Sequence, residues 1–133
     1  FSHTSYSIID SSGKDIGFRN ASPNLNFKSL LRSCDIGLST VVLKKKILKG
    51  FSFSNITTKE DFVLWLKLSR KYKLVGIDKN LAKWRKLNNS LSSNIFQKLS
   101  DGFKVYNYYM KFNYIKSLIY LIILSVNFLK KKV

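Results

Sequence analysis

The chain has 133 residues, 45% of them hydrophobic and 14% aromatic, with one proline and six glycines. That is long enough for one domain with a buried core, and the composition excludes the low-complexity and disordered classes. Against 7 acids stand 24 lysines and arginines, a net charge of +17, which favours polyanions: nucleic acid, anionic lipid head groups or phosphorylated small molecules.

Phe1–Asp10, "FSHTSYSIID", alternates loosely and is rich in β-formers, which predicts a strand. His3, the single histidine, falls in it and reads as structural; one histidine excludes a multi-histidine metal site within this chain. Ser11–Lys14, "SSGK", predicts a turn, and "DIGFR" a short partner strand. Asn26 can cap a helix whose apolar Phe27, Leu30 and Leu31 follow the i, i+3, i+4 rule. Cys34, in "LLRSCDIG", reads as a small buried side chain; a lone cysteine excludes an internal disulfide framework and fits a reducing compartment. "DIGLSTVVLKK" predicts a second buried strand centred on Val41 and Val42. "KKKILKGFSFSN" predicts a connection with solvated lysines.

In "TTKEDFVLWLKLSRKY", Thr57 and Glu60 have the spacing of a capping box, predicting a helix from about Lys59 to Lys73. Phe62, Trp65, Leu66, Ser69 and Tyr72 share one face, while Val63, Leu64 and Leu68 spread apolar surface around the rest. A helix apolar on most sides is enclosed by its neighbours. "KLVGIDKNLAKWRKL" predicts one or two short strands with a turn near Asp78-Lys79-Asn80, "NNSLSSN" a polar loop, and the chain from Asn94 onward predicts helix. Ser117–Leu129, "SLIYLIILSVNFL", is almost uninterrupted apolar sequence closed by Lys130, Lys131 and Lys132. A membrane span needs roughly 20 apolar residues, and Lys116 and Lys111 interrupt this run upstream. Two readings stand: an in-plane anchor on anionic lipid, or a terminal helix packed on the rest of a longer protein. A chain that opens on Phe1 and carries its single methionine at Met110 is expected to be a fragment or processed piece.

Glu60 and Asp61 are the best catalytic candidates. Carboxylates in a first helical turn meet exposed N–H groups and the positive end of the macrodipole, which favour the ionised form that a general base requires. Acids there also serve helix stability alone. Trp84 and Arg85, in "WRKL", offer an indole for stacking and a guanidinium for phosphate, and equally fit a solvated strand end. "SSGKDIG" has neither Walker nor Rossmann spacing, and no Asp-x-Asp occurs.

"EDFVLWLKL" resembles the Glu-Asp-aromatic-x-Leu-Trp-Leu segment of family 2 glycosyltransferases, GT-A-fold enzymes of bacterial surface polysaccharides. "SYSIIDSSGKDIG", "LLRSCDIGLSTVV", "LAKWRKLNNSLSSN" and the hydrophobic C-terminal helix resemble the same family in the same order, especially its teichuronic-acid and capsule subgroup. The resemblance implies an α/β fold, the C-terminal half of a GT-A-type Rossmann-like fold, with a short mixed sheet, packed helices and a C-terminal helical arm. It implies an acceptor-side portion over residues 1–93 and a helical, membrane-associated segment over 94–133. The implied reaction is inverting transfer of a sugar from a nucleotide-sugar donor to a hydroxyl of a glycan or lipid-linked acceptor.

By the same resemblance Asp61 is the general base, Glu60 shapes its site, and Ser39 and Thr40 line the sugar and acceptor pocket. Arg85 would lie close to the donor phosphates, with Trp84 beside it; the family often has a histidine soon after this arginine, where Lys86 and Leu87 stand here. The family's nucleotide-binding half and its Asp-x-Asp motif are expected in a full-length parent together with a divalent metal, Mg or Mn, none of it bound by this chain. The fragment is therefore expected to be inactive alone, and the parent to work in the cytoplasm at the inner face of the bacterial membrane, on anionic lipid and without nucleic acid. The alternative is a non-enzymatic basic module that binds anionic membrane or nucleic acid.

Overall fold

The computed structural model describes residues 1–87 and 94–131. Its sheet contains β1 (Ser2–Ile9), β2 (Asp15–Arg19), β3 (Asn24–Leu25) and β4 (Leu74–Arg85) in the order β2-β1-β4-β3. β1 runs antiparallel to β2 and parallel to β4, so the sheet is mixed. The hairpin between β1 and β2 turns as its residues predict: Asp10 Oδ1 accepts from Ser12 N, Ser12 Oγ and Lys14 N, and Gly13 takes φ 92°. That is an Asx-type turn with a glycine supplying the left-handed backbone.

Among the described residues four α-helices complete the α/β fold: α1 (Phe27–Leu30), α2 (Glu60–Ser69), α3 (Ile95–Lys104) and α4 (Tyr114–Lys130). Asn26 caps α1, its side chain accepting from Ser29 N while Ser29 Oγ accepts from Asn26 N. Asn94 and Asn113 cap α3 and α4 in the same way, accepting from Gln97 N and Lys116 N. A π-helical turn over Val105–Tyr109 and a left-handed Lys111, φ 61°, separate α3 from α4.

Three expectations are corrected. The strand expected over "DIGLSTVVLKK" is a 3-10 turn at Leu38–Thr40 followed by a single bridge from Val42 to Ser2. β4 follows β1 from Ser2 to Ile9 and β2 occupies its other edge at Tyr6–Ile9, which leaves only the Ser2 end to pair. Val42 is 72% exposed as a result. The Thr57–Glu60 capping box does not form: Lys59 is the N-cap, left-handed at φ 67° and without a side-chain cap bond. The helix also ends at Ser69 rather than Lys73, the Lys71 and Tyr72 amides both turning back to Leu68 O. The turn expected at Asp78-Lys79-Asn80 is instead a pair of register shifts inside one continuous strand, since Thr4 faces Ile77, Ser5 faces Asn80 and Tyr6 faces Ala82. Extra residues absorbed this way bend a strand without ending it, and Ser5 Oγ holds Asp78 by donating to its Oδ1 at 2.9 Å. Most of the loop expected over "NNSLSSN", and Lys132, lie outside the described residues.

α2 is enclosed, as its all-round apolar pattern requires. Phe62, Val63, Leu64, Trp65, Leu66 and Leu68 are all buried. They share one core with Leu25, Leu30 and Leu74 on one side and Val105, Tyr106 and Leu124 on the other. Tyr106 buries its ring there and satisfies its hydroxyl on Leu31 O at 2.8 Å. α4 comes close to α3 at Gly102: a Cβ there would stand 2.7 Å from Leu121 Cδ1, with Lys59 Cε at an ordinary 3.5 Å.

Candidate active site

The N-terminus of α2 carries Glu60 and Asp61, and both its ends are fixed by the buried body of the helix. The approach to it is fixed by a second anchor. Asp101 on α3 is fully buried, and its Oδ2 accepts from Thr58 N at 2.8 Å and from Thr58 Oγ1 at 3.0 Å. Burial works against the Asp101 charge, but hydrogen bonds from Gln97, Thr58 and Lys104 together hold its pKa below the usual carboxylate range. Thr58, not Thr57, is thus the polar residue that sets the entry to the helix.

Asp61 Oδ1 accepts from Phe62 N at 2.7 Å. Burial pushes the Asp61 pKa up, Glu60 adds to this, and the Phe62 amide and the Lys59 charge pull the other way without prevailing. The expectation that the helix terminus would favour the ionised form is therefore corrected by desolvation, which is the larger effect here. A raised pKa makes the carboxylate a stronger base.

Around Asp61 the fold gathers residues that the sequence left unmarked. Burial, with the Asp61 charge, pushes the Cys34 thiol up to about 12, which makes it an inert neighbour. Tyr6 is also raised, first by burial, and feels Cys34, Asp35 and Asp61. Its ring lies so close to Gly37 that a Cβ there would stand 2.9 Å from Tyr6 Cε1. Lys59 is lowered by burial, with Cys34 and Asp61 pulling it up and Lys98 down. No motif marks Tyr6, which arrives from β1, and the one local signal is Gly37, needed for the close approach; Lys59 is the N-cap of α2 itself.

The other candidates lie on the 3-10 turn and at the end of β4. Ser39 is exposed on the 3-10 turn, and Thr40 is buried with its hydroxyl donating to Gly37 O at 2.7 Å. Trp84 and Arg85 end β4 opposite Ile8 and Ile9, two and three residue steps, or roughly 7 and 10 Å, along β1 from Tyr6. Arg85 Nη1 donates to Asp10 O and Ser11 O, both at 2.9 Å, and Trp84 is half exposed. A shallow pocket of about 260 Å³ lies beside them, lined by Asp10, Ser11, Ile16, Lys86 and Leu87. Among the described residues no three His, Cys, Asp or Glu side chains converge as metal ligands.

No protein-family model matches the chain, and no solved structure matches it. Curated proteins do. The chain is 28% identical over 99% of its length to a protein of Bacillus subtilis named as a teichuronic acid biosynthesis glycosyltransferase, covering 53% of that protein. It is 33% identical over 79% of its length to a UDP-Glc:alpha-D-GlcNAc-diphosphoundecaprenol beta-1,3-glucosyltransferase of Escherichia coli, covering 42% of it. It is 37% identical over 64% of its length to an uncharacterized glycosyltransferase of Rickettsia bellii, covering 13% of it. The chain spans about half the length of the first two of these relatives. It is a homologue of bacterial glycosyltransferases, and its small mixed sheet with packed helices is compatible with a portion of a GT-A fold.

Proposed function

We propose that the chain supplies the acceptor side of an inverting family 2 glycosyltransferase of bacterial surface polysaccharide synthesis, with Asp61 as general base. The observation that carries this is the position of Asp61: a carboxylate made more basic by burial, at the end of a helix locked into the core. A general base needs a fixed position and a pKa moved toward the working pH, and it must come within hydrogen-bond reach of the acceptor hydroxyl. Asp61 takes the proton from that hydroxyl as its oxygen attacks the anomeric carbon of the donor sugar and the nucleoside diphosphate leaves. Glu60 shapes the acceptor site beside it, and Ser39 and Thr40 line the sugar pocket. Arg85 and Trp84 face the donor side, where a guanidinium suits phosphate oxygens.

The donor is a nucleotide-sugar and the acceptor a glycan or lipid-linked hydroxyl, in keeping with the name of the Escherichia coli relative. A divalent metal, Mg or Mn, and the nucleotide-binding half belong to the rest of a longer protein. The chain alone is inactive. The working place is the inner face of the bacterial membrane. The test is Asp61→Asn in the product of the complete reading frame. Sugar transfer should fall by at least about 100-fold, and wild-type product should carry the inverted anomeric configuration by NMR. Transfer at near wild-type rate in the variant removes Asp61 from the base role.

A further inference from the structure

The face of α4 that points away from the core is its apolar face. Ser117 and Leu124 are buried, while Ile115, Leu118, Ile119, Ile122, Val126 and Leu129 are exposed. At 3.6 residues per turn those six fall in one stripe about 100° wide, opposite Leu124. A helix that only covers a core has the reverse arrangement, with its polar residues outward. Exposed Lys116 and Lys130 lie along one flank of the stripe, roughly 21 Å apart. α3 packs beside α4 and also exposes Ile95 and Phe96, at 67% and 85%. Lys98 Nζ sits 5.7 Å over the Phe128 ring between the two helices. Contiguous apolar surface with a charged rim marks an interaction site.

We propose that α4 lies in the plane of an anionic phospholipid surface, its Ile115–Leu129 stripe among the outer acyl segments and Lys116 and Lys130 on lipid phosphates. This deepens the membrane location proposed above and rests on it. Charge selects the occupant. A second copy of a chain carrying +17 would set like charges against each other, whereas an anionic leaflet attracts each surface lysine by about 1 kcal/mol. Length selects the mode. The 17 residues of α4 make a rod of about 25 Å, shorter than the roughly 30 Å hydrocarbon core. Among the described residues no helix is long and apolar enough to cross a membrane. An in-plane amphipathic helix instead sinks to the head-group boundary.

The inner side of α4 carries the consequence. Asn127 Nδ2 donates to Arg32 O at 3.0 Å, and Lys131 Nζ donates to Ser33 Oγ and pairs with Asp35. These residues flank Cys34, whose thiol feels the Asp61 charge. A helix seated on lipid thereby holds the segment beside Asp61 near the membrane plane, where a lipid-linked acceptor presents its hydroxyl.

The test is flotation of the complete reading-frame product with vesicles of phosphatidylglycerol and phosphatidylcholine, against phosphatidylcholine alone. The anionic vesicles should carry at least about ten times more protein, and Ile119→Glu with Ile122→Glu should remove that excess. Lys116→Gln with Lys130→Gln, which leaves the apolar stripe intact, should weaken binding and flatten its salt dependence. Val42→Glu, exposed elsewhere, should change nothing. Absence of flotation, or equal flotation on both vesicles, overturns the proposal. So does a dimer that the two Glu substitutions dissociate without changing flotation, or full release of the protein from vesicles by RNA. The two readings fail separately: Asp61→Asn should float as wild type does, and the Ile119→Glu, Ile122→Glu variant should still transfer sugar to a water-soluble acceptor.

Discussion

Asp61 stands between two opposed effects, and burial exceeds the help that its helix terminus and the Phe62 amide give to the charge. A carboxyl whose folded pKa lies above its unfolded value binds protons more readily in the native state, so stability falls as pH rises from about 4 through the folded pKa. Asp61→Asn keeps an acceptor for Phe62 and removes the buried charge. The melting temperature at pH 7 should therefore rise while sugar transfer is lost, and a fall in melting temperature would contradict this account. His3 shows the opposite sign. It is fully buried, neither ring nitrogen has a hydrogen-bond partner among the described residues, and burial lowers its pKa, with Asp35 and the Ser22 backbone pulling partly back. Its stability contribution is complete above about pH 6.5 and is lost as pH falls through the folded value, because the unfolded chain takes up the proton first. Urea midpoints measured at pH 7.5 and 5.5 should differ for the wild type, and His3→Leu should shrink that difference.

At the scale of elements, the joint between α2 and α3 decides where Asp61 sits. Asp101 accepts two hydrogen bonds from Thr58 in a buried place, and Lys59 rests its stem against Gly102. Asp101→Ala leaves the Thr58 amide and hydroxyl without an acceptor, which costs about 1–3 kcal/mol for a buried donor. The expected outcome is a lower urea midpoint with an unchanged slope, and hydrogen exchange at Thr58 should accelerate first. Because the Asp101 pKa is lowered, its contribution is present above about pH 4 and lost as pH falls through the folded value. The deficit of Asp101→Asn against the wild type should accordingly shrink in acid. A deficit that stays constant from neutral pH to pH 2 would exclude the hydrogen-bonded carboxylate as its source.

The whole molecule is held by apolar packing against its own charge. Among the described residues two salt bridges occur, Lys104–Asp101 and Lys131–Asp35, in a chain with 24 lysines and arginines. Self-repulsion of this kind destabilises the compact state and is screened by salt. Raising ionic strength from about 0.05 M to about 0.5 M should therefore raise the melting temperature, the reverse of what a fold held by surface ion pairs would do. One core runs from Leu25 through α2 to Leu124, so the C-terminal arm and the strands share the same buried helix.

Period and cap chemistry are local, and what depends on them was legible in the residues: the β1–β2 hairpin, the Asn26 cap, the enclosed apolar helix behind Glu60 and Asp61, and the helical C-terminus. The order of "EDFVLWLKL" among the neighbouring segments also pointed to glycosyltransferase relatives. Tertiary packing decided the rest. Val41 and Val42 have the composition of a strand, but β4 runs along one edge of β1 and β2 takes Tyr6–Ile9 of the other, which left Val42 a single bridge to Ser2. Thr57 had the spacing of a cap, yet Asp101, more than 40 residues away, bound Thr58 instead and let Lys59 turn left-handed. The protonation tendency of Asp61 went the same way. A helix terminus can be read from spacing, but desolvation depends on the tertiary surroundings of the carboxylate, and Tyr6 and Cys34 come within reach of its charge only in the folded chain.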